Sequence, residues 1–246
     1  MEFRLLKESE IDCRIAQIDK GWCTLLLYKD ARVDQNILDE TVGCMNWQKR
    51  YVRDNANCIV GIWDTEKQQW VEKEDTGTES FSEAEKGLAS DSFKRACFNW
   101  GIGRELYTAP GIIIFPRKDI KYKYNGKEVE EFYEYKDNKY TTKTKFYVDY
   151  IGYDKERNIS DLIIRDSKGN IRFEQLTDSK QKEKNKEYLQ LRELLQTNEE
   201  KDNGFDREEF YNYFKVKSDD QLNSKQIKIA IDLLNKRLKK WQNKKK

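Results

Sequence analysis

Lys94 and Arg95 stand side by side, with Phe98 one helical turn further on, in the run SFSEAEKGLASDSFKRACFNWGIGRELY, Ser80–Tyr107. Cations next to a flat ring suit a single nucleic-acid strand, with charge for the phosphate and a face for the base. Stacking of that kind contributes roughly 1–3 kcal/mol per base. On the residues alone the balance tips slightly the other way, toward a solvated face in which Lys94 and Arg95 pair with Asp91 and Glu83 and Phe98 packs on another element. A second set of residues suggests bond-breaking chemistry. Glu72 and Glu74 alternate in VEKED, and Asp91 follows in sequence, as the clustered carboxylates of a two-metal nuclease would. With 45 Asp and Glu in the chain such clusters arise easily by chance, and alternation on a strand usually marks its solvent side.

Other chemistry is excluded by what is missing. There is no histidine, which removes Ser-His-Asp, Cys-His and His-ligated metal mechanisms. No GxxxxGK[ST] occurs, and Gly101-Ile102-Gly103 lacks the third glycine of a dinucleotide loop and follows a helix where that loop would follow a strand. The five cysteines, Cys13, Cys23, Cys44, Cys58 and Cys97, are widely spaced with no CxxC, so no zinc site is expected. No catalytic residue, metal or cofactor is expected on this reading. Reduced thiols, together with an N-terminus lacking a long apolar run, suit a cytoplasmic protein with no membrane partner.

The elements that must position these residues are legible in the patterning. Residues 1–20 read as an entry segment with room for a short helix. Trp22–Tyr28 is an apolar strand, and Ala31–Gly43 a helix with Val33, Ile37 and Leu38 on one face and Gly43 as its C-terminal cap. NWQKRYV and CIVGIWD are strands joined by a polar turn at Asp54–Asn57, and Gln69–Gly77 is a third, more polar strand. The long helix then runs from about Ser82 to Trp100, with Ser82 and Glu85 as a capping box. On its wheel Ala89, Phe93, Ala96, Cys97 and Trp100 form an apolar stripe that packs on the preceding sheet. Gly87, Asp91, Lys94 and Phe98 line the opposite face, with Arg95 beside them. Gly87 costs about 1 kcal/mol against Ala in a helix interior, which makes sense where another backbone must come close.

Past Pro110 the chain turns polar and Tyr-rich. Residues 118–175 read as hairpin strands extending a sheet, with turn signals at Asn125–Gly126 and around Gly169. Leu176–Lys186 reads as a polar linker. Three helical segments follow, EYLQLRELLQT, REEFYNYFKV and NSKQIKIAIDLLNKRLKKW, the last capped by Asn223 or Ser224. The expected fold class is α+β: a three-stranded antiparallel sheet packed on a long helix (a β-β-β-α core), with added β-hairpins and a small C-terminal helical domain. The corresponding domains are 1–175, a linker at 176–186, and 187–246. Net charge is only +2, so any polyanion surface must come from where the charges sit. The run KRLKKWQNKKK, Lys236–Lys246, reads as a solvated basic segment able to add non-specific phosphate affinity.

Taken together and in order, ARVDQNILDETVGCMNW, a strand carrying KEDTGTES, and AEKGLASDSFKRACFNWGIGRELY resemble the Rad52/Rad22 family, and within it the phage-type single-strand annealing proteins. The resemblance covers about residues 10–110. It implies a homo-oligomeric ring or filament that binds single-stranded DNA in a basic outer groove and anneals complementary strands without ATP, in recombination or repair. It implies DNA-backbone contacts from Lys94 and Arg95, Arg32 at the same groove, and a close backbone approach at Gly87; Phe98, as a stacking face, and Arg104 complete the candidate DNA-binding residues. Where some relatives carry a further cation three residues after the Lys-Arg pair, this chain has Phe98. The C-terminal segment is similar to helical tails that dock a host single-strand-binding protein or a partner nuclease, and a role only in stabilising the fold or the oligomer stands equally open. The two other functions that stay open are a metal-dependent nuclease and a non-catalytic assembly or adaptor protein.

Overall fold

The computed structural model describes residues 1–78, 84–201 and 203–244. In chain order, β1 (Asp12–Ile18) and β2 (Cys23–Tyr28) lead to α1 (Ala31–Val42), then β3 (Trp47–Val52), β4 (Asn57–Asp64), β5 (Gln69–Thr76) and α2 (Ala84–Trp100). After a 3-10 turn at Arg104–Thr108 come β6 (Ile112–Ile114), β7 (Lys121–Tyr124), β8 (Lys127–Glu130), β9 (Tyr133–Lys136) and β10 (Lys139–Thr141). The chain then forms β11 (Phe146–Tyr153), β12 (Ile159–Asp166), β13 (Ile171–Gln175), α3 (Asp178–Glu200), α4 (Arg207–Phe214) and α5 (Ser224–Lys244). The fold is α+β. Among the described residues no helix is long and apolar enough to cross a membrane.

The chain divides into two units. The first holds Met1–Asp12, Leu27–Pro110 and Lys155–Asn158. Its sheet is β3-β4-β5, antiparallel throughout. Arg53, Asp54 and Asn55 take left-handed φ values in the turn between β3 and β4, where Asp and Asn pay the least for that conformation. β4 is buried from Asn57 to Ile62, because α2 covers one of its faces and long side chains such as Arg50 and Glu72 bridge across the other. On the helix side, Lys49, Val60 and Lys73 stand in one cross-strand row. The two lysines flank the helix, with the Lys49 ammonium 4.4 Å from the Phe93 ring centre and the Lys73 ammonium 4.4 Å from that of Trp100. Phe93, Ala96 and Cys97 are buried there, as their helical spacing requires. α1 begins at Asp30, whose carboxylate accepts from the Arg32 backbone N–H, and ends at Gly43, whose φ of 84° suits glycine. The expected N-cap of the capping box, Ser82, falls outside the described residues.

The second unit holds Cys13–Leu26, Gly111–Asp154 and Ile159–Lys246. Its six-stranded sheet has the order β13-β12-β11-β1-β2-β6, and its two edge strands, β13 and β6, approach one another. β7 with β8 and β9 with β10 form separate two-stranded ribbons and do not extend this sheet. Asn125 and Gly126 both have positive φ, as a tight hairpin turn demands. Leu191, Leu195, Phe210, Phe214, Leu222, Ile227, Ala230 and Leu234 make the helical core. Asn223 caps α5 reciprocally: its side chain accepts from the Gln226 N–H at 2.8 Å while the Gln226 side chain accepts from the Asn223 N–H at 3.0 Å.

Two expectations are corrected. Residues 1–20 hold a short helical turn, the 3-10 turn Glu8–Glu10, but residues 12–18 of that entry segment are a strand, in which Cys13 and Ile15 alternate inward in DCRIAQI. Residues 178–186 are not a linker but the first turns of α3, supported by Lys180–Glu183 and Gln181–Asn185 side-chain pairs one turn apart and by Thr177, which is held by Asp161. The division between units also does not fall near residue 175. Buried Arg165 on β12 donates to Asp149 at 2.9 Å, to the Gly169 carbonyl at 2.6 Å and to the Leu222 carbonyl at 2.9 Å, so the segment entering α5 is bonded to the sheet.

Candidate nucleic-acid interface

Three elements of the first unit bring cations and rings together: the start of α1, the last turns of α2 and the 3-10 turn after it. Helical spacing sets Phe98 one turn beyond Lys94 on α2. The chain then reverses through Gly101 and Gly103, with φ values of 101° and 77°. That reversal returns Arg104 over the helix end, where its guanidinium donates to the carbonyls of Phe98 and Asn99, both at 2.8 Å. These are carbonyls that no helical N–H can reach, and a cation there also favours the helix dipole. The same guanidinium lies 5.5 Å from the centre of the Phe98 ring, and the Phe98 and Tyr107 rings sit 4.8 Å apart at 60°. Tyr107 is 75% exposed, so this cluster presents a free aromatic surface.

Below the cluster lies a buried ion pair. Lys29 and Asp34 bond to each other with almost no exposure. The Lys29 stem runs where a Cβ on residue 103 would sit, so Gly103 is required by space as well as by φ. Burial pushes the Asp34 carboxyl up to about 6 against the pull of Lys29 and, more weakly, of Lys94. Asp30 moves the other way: the Arg32 guanidinium, 2.9 Å away, holds its carboxyl below the usual range, with a smaller push from Lys94. Arg32 itself is 82% exposed. Among the described residues no hydrogen bond or ion pair holds Lys94. Among the described residues, the patch therefore carries Arg32, Lys94 and Arg104 against one exposed carboxylate, Asp30.

Of the residues singled out in the sequence, Arg32, Lys94, Phe98 and Arg104 belong to this connected group. Arg95 does not: successive helix positions point about 100° apart, and Arg95 faces β5, where it pairs with Asp75 at 3.3 Å beside Asn99. The expected partner Asp91 instead accepts from the Thr78 N–H and hydroxyl, and Glu83 lies outside the described residues. Gly87 is half-buried on α2. A close approach of backbones to α2 occurs at Gly77, where a Cβ would stand 2.5 Å from the Ser92 nitrogen and 2.6 Å from the Leu88 carbonyl oxygen. Sequence reasoning missed Lys29 and Tyr107. Tyr107 carried a readable signal, an aromatic nine residues after Phe98 beyond a Gly-x-Gly reversal, whereas the burial of Lys29 depends on Gly103, more than seventy positions away.

The carboxylates of the nuclease alternative are dispersed. Glu72 pairs with Arg50 at 2.8 Å, Glu74 accepts from the Asn57 amide, and Asp91 holds Thr78. Among the described residues no three acidic or thiol groups gather where a metal ion would fit. The chain matches no protein-family model, no curated protein and no solved structure.

Proposed function

We propose that this protein binds single-stranded DNA and anneals complementary strands without ATP, as a cytoplasmic homo-oligomer, ring or filament, serving recombination or repair. The observation that carries the reading is the cation–aromatic group of Arg32, Lys94, Arg104, Phe98 and Tyr107 at one end of α2. The likeness to the Rad52/Rad22 family supports it, with β3-β4-β5 and α2 standing for that family's β-β-β-α core. In mechanism, the cations hold phosphates and the Phe98–Tyr107 ring pair holds bases unpaired until a second strand finds its register. No bond is made or broken, so no catalytic residue or cofactor is called for. The C-terminal helices are open to a host single-strand-binding protein or a partner nuclease.

The test is fluorescence-detected annealing of two complementary oligonucleotides, without nucleotide or metal, across a salt series. The expected result is acceleration that fades as salt rises, because phosphate contacts release counterions. Lys94→Ala with Arg32→Ala should flatten the single-strand salt slope by about 1.4, at about 0.7 per lost phosphate contact. Arg95→Ala should have the smaller effect, since that side chain is engaged with Asp75. A folded wild-type chain that binds no single strand refutes the proposal.

A further inference from the structure

The net charge of +2 conceals a strong separation. From Ser224 to Lys246 stand eight lysines, Arg237 and one carboxylate, Asp232, giving +8. The remaining residues must then carry −6. α5 arranges part of this charge on one side. At 100° per residue, Lys225, Lys228, Lys236, Lys239 and Lys240 fall within a sector of about 120°, and all five are exposed. Ile227, Ala230 and Leu234 occupy the opposite side and are buried in the helical core. From Lys225 to Lys240 the row runs about 22 Å at 1.5 Å per residue.

We propose that this lysine row is a second nucleic-acid surface, distinct from the patch at the end of α2, and that it takes the phosphate backbone of a duplex. Several features select that occupant. Lys236 pairs with exposed Asp232 at 2.6 Å, and the exposed ammonium of Lys228 stands 3.5 Å from half-buried Glu187, and a phosphate readily displaces pairs of this kind. No exposed aromatic lies on the row, because Trp241 falls on the buried side and is half-buried, with Lys201 over its ring. Without a stacking platform the surface reads charge and not bases, and a duplex offers the densest charge, one phosphate per about 1.7 Å of axis. Lysine is depleted at the cores of protein–protein interfaces. An interfacial membrane helix needs a free apolar face, and here the apolar face is occupied, leaving only Ile229 and Leu233 exposed.

The proposal does not depend on the annealing reading. The experiment is fluorescence anisotropy of a labelled 30-base-pair duplex against the full chain over a salt series. The variant is Lys228→Gln/Lys236→Gln/Lys239→Gln/Lys240→Gln, whose side chains are exposed and whose fold is checked by circular dichroism. The salt slope should become shallower by about 3 to 4, at about 0.9 per phosphate, and affinity near 0.1 M salt should fall about tenfold or more. Asp232→Lys should act oppositely, steepening the slope by about 1. A duplex slope unchanged in the four-lysine variant overturns the proposal even where annealing is intact. Binding of the wild-type chain to phosphatidylserine vesicles but not to duplex overturns it in favour of a lipid surface. A wild-type chain that binds duplex through these lysines yet anneals nothing supports this surface and refutes the annealing function alone.

Discussion

Gly77→Ala should destabilise the first unit by a predictable amount. Gly77 is buried after β5, and its N–H is fixed to the Ala56 carbonyl at 2.8 Å. A methyl group there would meet the Ser92 nitrogen at 2.5 Å, the Leu88 oxygen at 2.6 Å and the Ser92 Cα at 3.0 Å. Ordinary contact begins near 3.4 Å, so the overlap is about 0.8 to 0.9 Å, and it is against helix backbone that cannot rotate away. Either α2 moves outward by most of an ångström or the hairpin turn moves with Gly77. Overpacking of this kind costs about 1–3 kcal/mol, and the upper half of that range applies where no side chain can yield. The alanine also restricts the unfolded chain, returning about 0.4–1 kcal/mol. The net loss is about 2 kcal/mol. With a urea dependence of about 1–3 kcal/mol per molar, the unfolding midpoint should drop by about 1 M. Gly111→Ala and Gly21→Ala are the controls, since nothing lies within 4 Å of a Cβ at either site. Equal midpoints for Gly77→Ala and Gly111→Ala would refute the claim that Gly77 sets the distance between β5 and α2.

Three further predictions concern buried groups. Because burial holds Asp34 at about 6, above its ordinary value near 3.9, the folded chain keeps a proton that the unfolded chain has already released. This group's contribution to stability therefore falls as pH rises from about 4 to about 6. Lys29→Met with Asp34→Leu should abolish that slope and leave stability at pH 7 unchanged or higher by about 1–4 kcal/mol; a less stable double variant in urea titrations would show the pair to be net favourable. Thiol labelling of the native chain should modify Cys44 first, since it is exposed. Burial pushes Cys23 up to about 12 and Cys58 up to about 11, and raises Cys97 as well, so these three should react only after denaturant is added; fast labelling of any of them contradicts the packing. Arg165→Met should cost about 3–5 kcal/mol by leaving Asp149 buried without its partner, seen as a lowered melting midpoint, while Arg32→Met on an exposed pair should change it by no more than about 1 kcal/mol.

Local signals made much of this fold readable. α1 announces itself through the Asp30 cap, the Ile37–Leu38 pair and Gly43, and the β7–β8 turn through Asn125–Gly126. β1 gives no such signal: its inward residues are few and half-buried, and its neighbour β11 follows more than a hundred residues later. The opening turns of α3 are polar on every side, so no periodicity distinguishes them from a solvated connection. At the candidate site the helical wheel brings Lys94 and Phe98 together, and the same wheel separates Lys94 from Arg95. The contributions of Lys29 and Arg104 arise only when the Gly101–Gly103 reversal folds one segment over another.

Arg165 bears on how this chain can be divided. It is buried on β12, and two of its acceptors, the carbonyls of Asp220 and Leu222, come from the segment that enters α5. A cut anywhere between β13 and Asp220 would strip a buried guanidinium of those acceptors while baring Leu222. The helices are thus not a detachable module that could be traded between proteins or expressed alone without cost to the sheet. Inheritance should treat the six-stranded sheet and α5 as one piece, holding Arg165, Asp149 and the turn at Asp220–Leu222 together.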